Sequence, residues 1–139
     1  MIFGVLMWVV SMGAGALEIS LPTRSVAALA IAALGVAFSA AGLVQFRRFK
    51  TTVNPTKPET ASALVSSGVF NVTRNPMYVG LALVLVAWAA FLASPWTLMG
   101  PLAFGLYIDR FQIAPEERAL SKLFGVEYST YKARVRRWR

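Results

Sequence analysis

The chain has 139 residues, enough for one domain of ordinary size. It is 57% hydrophobic and only 14% charged, with a mean hydropathy of +0.59, whereas soluble domains are about half apolar and about a quarter charged. A soluble protein of this composition would expose large apolar patches, so a bilayer is the expected solvent. The net charge is +8. Its basic residues lie between apolar runs, which points to anionic lipid headgroups as partners and away from nucleic acid. There is no cysteine and no histidine, which excludes disulfides, thiolate nucleophiles, Cys/His zinc sites and imidazole acid–base catalysis. No metal is expected.

The first apolar run, residues 2–17 with Trp8 inside it, lacks a basic leader and reads as a membrane span, not a signal peptide. A loop over 18–24 follows, with Pro22 as breaker. A second span covers 25–46 and is rich in Ala, Gly and Ser. Gly35, Ser39 and Gly42 fall near one helical face, where small side chains let helix backbones approach. Residues 47–76 form the one long polar stretch, with Pro55, Pro58, Gly68 and Pro76. Long loops are usually functional or disordered. Apolar pieces at 61–65 and 69–72 predict a partly ordered loop against the membrane face, closing over a ligand. Spans three and four, 77–93 and 96–113, make a hairpin about Ser94-Pro95. Trp96 is expected at the interface, and Pro101 is tolerated inside the fourth span.

The tail, 114–139, predicts an amphipathic helix. Pro115 suits its first turn, Glu116 and Glu117 suit its positive end, and Arg134, Arg136 and Arg137 suit the other. Leu120, Leu123, Phe124, Tyr128, Tyr131, Val135 and Trp138 recur near helical spacing, with Gly125 dividing the helix. The expected fold is an all-α integral membrane protein: about four transmembrane helices plus a C-terminal amphipathic cytoplasmic helix, in one domain over 1–139. The 47–76 loop carries Arg47, Arg48, Lys50, Lys57 and Arg74, and the tail side carries eight more basic residues from Arg110 onward. The opposite side has Arg24 alone. The excess of positive charge predicts a multi-pass protein with both termini, loop and tail in the cytoplasm.

This topology brings two polar segments together at the cytoplasmic face. One runs from Gly68 to Gly80 and opens span three; the other begins at Glu116-Glu117, just after span four. Arg74, Asn75 and Tyr78 are therefore expected near Glu116 and Glu117. Such a pocket suits an ammonium-bearing or zwitterionic ligand. Plainer roles also exist: Arg74 snorkelling to the interface, the Glu pair complementing a helix end, Asn75-Pro76 forming a turn, and Tyr128 and Tyr131 packing the tail.

The run Arg74-Asn75-Pro76-Met77-Tyr78-Val79-Gly80, then Ser94-Pro95-Trp96, then Glu116-Glu117, then Phe124-Gly125-Val126-Glu127-Tyr128 with Tyr131, resembles the isoprenylcysteine carboxyl methyltransferase family, a relative of the membrane phospholipid methyltransferases. The resemblance covers about residues 45–139. It implies a membrane-embedded methyltransferase that takes S-adenosylmethionine from the cytosol and a lipophilic methyl acceptor from the bilayer. It implies that Arg74, Asn75, Pro76, Tyr78, Glu116 and Glu117 bind the cofactor, with one Glu pairing with its ammonium. Arg74 or Arg110 would face the substrate carboxylate. Asn75 stands where many relatives have His, so a role needing imidazole is absent. Prenylcysteine-type carboxylate is the first acceptor implied; a phospholipid or small amine is the alternative. A non-catalytic membrane scaffold is the competing class. A transporter fits poorly, because Asp109 is the one ionisable candidate at membrane depth.

Overall fold

The computed structural model describes residues 1–50 and 62–138. The middle of the expected 47–76 loop, residues 51–61, lies outside the described residues, as do Pro55, Pro58, Lys57 and Arg139 among the features named above. Helix is the one regular secondary structure among the described residues, with no strand. Five α-helices occur: α1 (Ile2–Gly13), α2 (Leu21–Arg48), α3 (Pro76–Leu92), α4 (Met99–Ile108) and α5 (Ala114–Arg134). A 3-10 turn at Gly68–Asn71 precedes α3 and another, Pro95–Leu98, leads into α4. A π-helical turn, Asp109–Ile113, joins α4 to α5 without a break.

The helix bounds differ from the sequence expectation at the first two helices and at the expected fourth span, 96–113, of which only Met99–Ile108 is α-helix. The first helix stops at Gly13, not Leu17, because the chain turns extended at Ala14; the Leu17 N–H then bonds to the Ala93 carbonyl at 2.6 Å. The second helix starts at Leu21, and Pro22 opens it instead of breaking it. The Ser20 hydroxyl accepts from the Thr23 N–H at 3.4 Å, an N-cap geometry, and proline in the first turn lacks only a donor that has no helical partner. α2 has 28 residues, so it is about 42 Å long. It is the one described helix long and apolar enough by itself to cross a membrane, and only 17% of its most apolar window is buried. α1 and α3 are apolar but shorter, at 12 and 17 residues.

The chain divides into two compact units. Unit 1 takes Met1–Ala37 and Gly80–Tyr107. Its interior is aromatic: Phe3 meets Phe104 edge-on at 5.6 Å, Trp88 stacks on Phe91 at 5.6 Å, and the Trp88 indole N–H donates to the Gly4 carbonyl at 3.0 Å. α2 and α3 touch closely here: a Cβ on Gly35 would lie 2.7 Å from the Gly80 carbonyl oxygen. Only glycine permits that approach.

Unit 2 takes the described residues of Phe38–Val79 and Ile108–Arg139. The small-residue face of α2 continues into it, with Gly42 against Pro76 and Met77 and the Ser39 hydroxyl 3.5 Å from the Met77 carbonyl. Its core is Val65, Phe70, Tyr128, Tyr131 and Val135, with Phe46, Leu120 and Phe124 packed on it. The Tyr131 hydroxyl donates to the Phe70 carbonyl at 2.8 Å. The tail helix thus spends its apolar stripe on the segment 64–70, while Leu123 and Trp138 remain exposed. Gly125, at φ 48° and ψ −117°, kinks α5 where the sequence suggested a division; that left-handed backbone suits glycine alone.

Candidate functional site

Every member of the polar cluster belongs to unit 2. Three stretches build it. The first is the entry to α3, where Thr73 is almost wholly buried and Pro76 fixes the helix start. The second is the π turn and first turn of α5, which carry Asp109, Gln112, Glu116 and Glu117. The third is the extended segment after α5, which turns back along residues 73–75. There the Arg74 N–H donates to the Arg136 carbonyl at 3.0 Å. The Arg137 carbonyl accepts from the Thr73 hydroxyl and, at 3.3 Å, from the Asn75 side-chain amide.

Glu117 is the hub. Its side chain is 8% exposed and lies 2.8 Å from Arg74 Nη1. Arg137 grips it with two hydrogen bonds, Nε to Oε1 at 2.9 Å and Nη2 to Oε2 at 2.7 Å, a forked geometry specific to arginine. The third arm of the same guanidinium, Nη1, meets both oxygens of Asp109 at 2.9 Å. Lys132 stands 3.7 Å away. Burial alone would push the Glu117 carboxyl up, but the Arg137 hydrogen bonds and the charges of Arg74, Arg137 and Lys132 hold it below the usual carboxylate range. The same hydrogen bonds keep the Arg137 guanidinium firmly protonated. Nearby, burial pushes the Tyr128 phenol up to about 12, with the Glu117 charge adding and Arg74 opposing.

Glu116 is the opposite case. Its Oε1 accepts from the Tyr78 hydroxyl at 2.6 Å and from the Gln112 amide at 3.2 Å. Both partners are neutral. Burial raises its carboxyl above the usual range, and the Glu117 charge adds to this against the two hydrogen bonds. Adjacent residues are thus driven apart: Glu117 is neutralised by cations, and Glu116 has none among the described residues.

Arg74 carries a further signal. Its side chain is 9% exposed. Nη1 is close to Glu117 but not aligned as a hydrogen bond, and Nε has no acceptor. Nη1 is thus committed to the Glu117 ion pair, and the buried Nε alone lacks an acceptor, where buried donors normally find one.

Of the residues expected at the site, Arg74, Asn75, Pro76, Tyr78, Glu116 and Glu117 come together. Arg110 does not: it is exposed on the π turn and takes no part in the cluster. Arg137 and Asp109 were missed. The one available sequence signal was that an interior tail arginine had an acidic partner at the end of span four.

The phospholipid methyltransferase family matches residues 23–127, which include every residue named above except those after Glu127. A relative from Haemophilus influenzae, described as an uncharacterized protein, is 47% identical over 62 residues, covering 45% of this chain and 98% of that protein. No solved structure matches. On the span of the family match, this chain belongs to the phospholipid methyltransferase family.

Proposed function

We propose that this chain is a multi-pass membrane enzyme that transfers a methyl group from S-adenosylmethionine to a lipophilic acceptor at the cytoplasmic membrane face. The observation that carries this reading is the presence in one cluster of Glu116, a carboxylate with no cation partner among the described residues, and the buried Arg74 guanidinium, whose Nε lacks an acceptor. An amino-acid moiety presents the complementary pair, an ammonium and a carboxylate. Glu116 would take the first and Arg74 the second, with Asn75 and Tyr78 framing the pocket. Pro76 sets the start of the helix that positions Tyr78. Glu117, already neutralised by Arg74 and Arg137, holds the frame instead of contacting the ammonium. Four crossings, with α1, α3 and the α4 run joining α2, and cytoplasmic termini follow the distribution of basic residues.

S-adenosylmethionine, where bound, supplies a methyl already activated by a sulfonium. The chain then has to align, exclude water and manage one proton. An amine-bearing lipid is the acceptor best suited to these residues. With the cofactor bound, the amine lone pair would take the methyl as the methyl–sulfur bond breaks to leave a neutral thioether, and the proton on that nitrogen would leave to water at the membrane face, with Glu116 kept for the ammonium. A prenylcysteine-type carboxylate is the second reading. It is favoured by the Arg74–Gly80 sequence resemblance and by exposed Arg110 as a cation for the acid.

The test is calorimetric binding of S-adenosylmethionine and S-adenosylhomocysteine to the detergent-purified protein. Wild type binds both; Glu116→Gln binds about tenfold more weakly, the loss of one charge-assisted contact. A well-folded wild type that binds neither would favour the scaffold reading. A screen of aminolipids against prenylcysteines then separates the two acceptors.

A further inference from the structure

Unit 1 holds a second feature that shares no residue with the Arg74–Glu117 cluster. It is an open cavity of about 1060 Å³, lined among others by Trp8, Ala28, Leu29, Ala32, Trp88 and Phe91. Its walls are almost wholly apolar, and its volume is at the upper end for small-molecule pockets. Such a space suits long hydrocarbon chains.

One charged group stands at its edge. Arg24 lies over the Phe91 ring, with its guanidinium carbon 5.7 Å from the ring centre. Phe91 in turn stacks on Trp88, so the arginine sits on the end of a rigid aromatic wall. Arg24, Ala28 and Ala32 follow each other at four-residue spacing on α2, which puts the cation directly above the small-residue floor of the groove. Arg24 Nε is buried and has no hydrogen-bond acceptor. Every ion pair among the described residues lies in unit 2, so none of their carboxylates neutralises it. An unneutralised guanidinium at the mouth of an apolar groove is complementary to an amphiphile with an anionic head.

Depth agrees. Arg24 and Arg47 stand near opposite ends of α2, about 34 Å apart along the helix axis, against a hydrocarbon layer of about 30 Å. With Arg47 and Arg48 at one interface, Arg24 reaches headgroup level at the other.

We propose that this cavity binds one anionic phospholipid, with its acyl chains against Trp8, Leu29 and Trp88 and its phosphate at Arg24. This lipid is a bound companion and not the methyl acceptor. The inference rests on α2 crossing the bilayer and not on methyl transfer, and its test reads no methyl transfer, so the two readings fail separately.

The two cavity tryptophans supply the readout. In full-length protein carrying Trp96→Phe and Trp138→Phe, emission comes from Trp8 and Trp88 alone. The protein is reconstituted with phosphatidylglycerol or phosphatidylcholine brominated on the acyl chains, diluted into unbrominated phosphatidylcholine. Half-quenching should need about fivefold less brominated phosphatidylglycerol than phosphatidylcholine, the preference one interfacial arginine supplies. Arg24→Gln should remove the preference and Arg24→Lys should largely keep it, with helicity checked by circular dichroism. Equal quenching by both lipids in the protein that retains Arg24 would overturn the proposal, leaving a groove that takes any apolar chain or a second copy. A preference that survives Arg24→Gln would overturn it equally.

Discussion

Arg137 holds both carboxylate oxygens of Glu117, at 2.9 and 2.7 Å, from a position 20 residues further along the chain. The same guanidinium holds Asp109, and the same residue's carbonyl holds Thr73 and Asn75. Removing the side chain leaves two carboxylates facing each other's charge, one of them buried. Arg137→Ala should therefore destabilise the protein by on the order of 3 kcal/mol, as expected for breaking a largely buried pair. Arg137→Lys should recover only part, because a single ammonium cannot reproduce the fork. Thermal melting in detergent, followed by circular dichroism, measures both.

The two adjacent carboxyls should respond to pH with opposite signs. Glu117 titrates lower when folded than its ordinary value of 4.5, so its contribution is present above that value and is lost as pH falls through the folded one. Glu116 titrates higher when folded, so its contribution is present below the ordinary value and is lost as pH rises through the folded one. Relative to wild type, Glu117→Gln should lose stability as pH rises through the acid range, while Glu116→Gln should gain it. Melting curves across that range for the three proteins check the crossing.

Tyr78 orients Glu116 through a 2.6 Å hydrogen bond. Tyr78→Phe keeps the ring and removes the donor. It should leave the fold intact and weaken S-adenosylhomocysteine binding roughly three- to tenfold, the effect of about 1 kcal/mol from one hydrogen bond. Titration calorimetry gives the ratio directly.

Gly35 tests the helix contact in unit 1. A Cβ there would stand 2.7 Å from the Gly80 carbonyl oxygen and 3.1 Å from Leu83 Cβ. Backbone cannot give way as a flexible side chain can, so Gly35→Val should cost about 1–3 kcal/mol, the range for overpacking. Gly105→Ala, where nothing lies within 4 Å of the added carbon, is the control and should melt no lower than wild type, since alanine favours a helix interior over glycine.

Much of this site was legible in the sequence because short polar motifs flanked apolar runs. Arg74, Tyr78, Glu116 and Glu117 opened and closed a hairpin, so counting spans alone brought them to one face. Gly35, Ser39 and Gly42 share a face by spacing, and that face meets α3 in both units. Arg137 was not legible, because a basic residue in a basic tail reads as charge for lipid headgroups, and only tertiary contact shows that it turns inward. The π turn at Asp109–Ile113 left no trace in composition either. It shifts Glu116 and Glu117 around the helix relative to α4, a change that hydrophobic periodicity is too coarse to register. The start of α2 was misjudged because proline was taken as a breaker, when Ser20 upstream made it a helix opener.

The return of residues 136–137 onto 73–75 has a consequence for biogenesis. Arg74, Asp109, Glu116 and Glu117 are all synthesised before Arg137. Until Arg137 emerges from the ribosome, Glu117 has Arg74 as its partner but lacks the fork that neutralises it. Thr73 and Asn75 likewise wait for their carbonyl acceptor. The apolar helices can form in chain order, yet the polar cluster closes only when residue 137 is free to swing back. Assembly of the cluster is thereby tied to synthesis through residue 137, and a product that stops before it would carry the helices without the closed cluster.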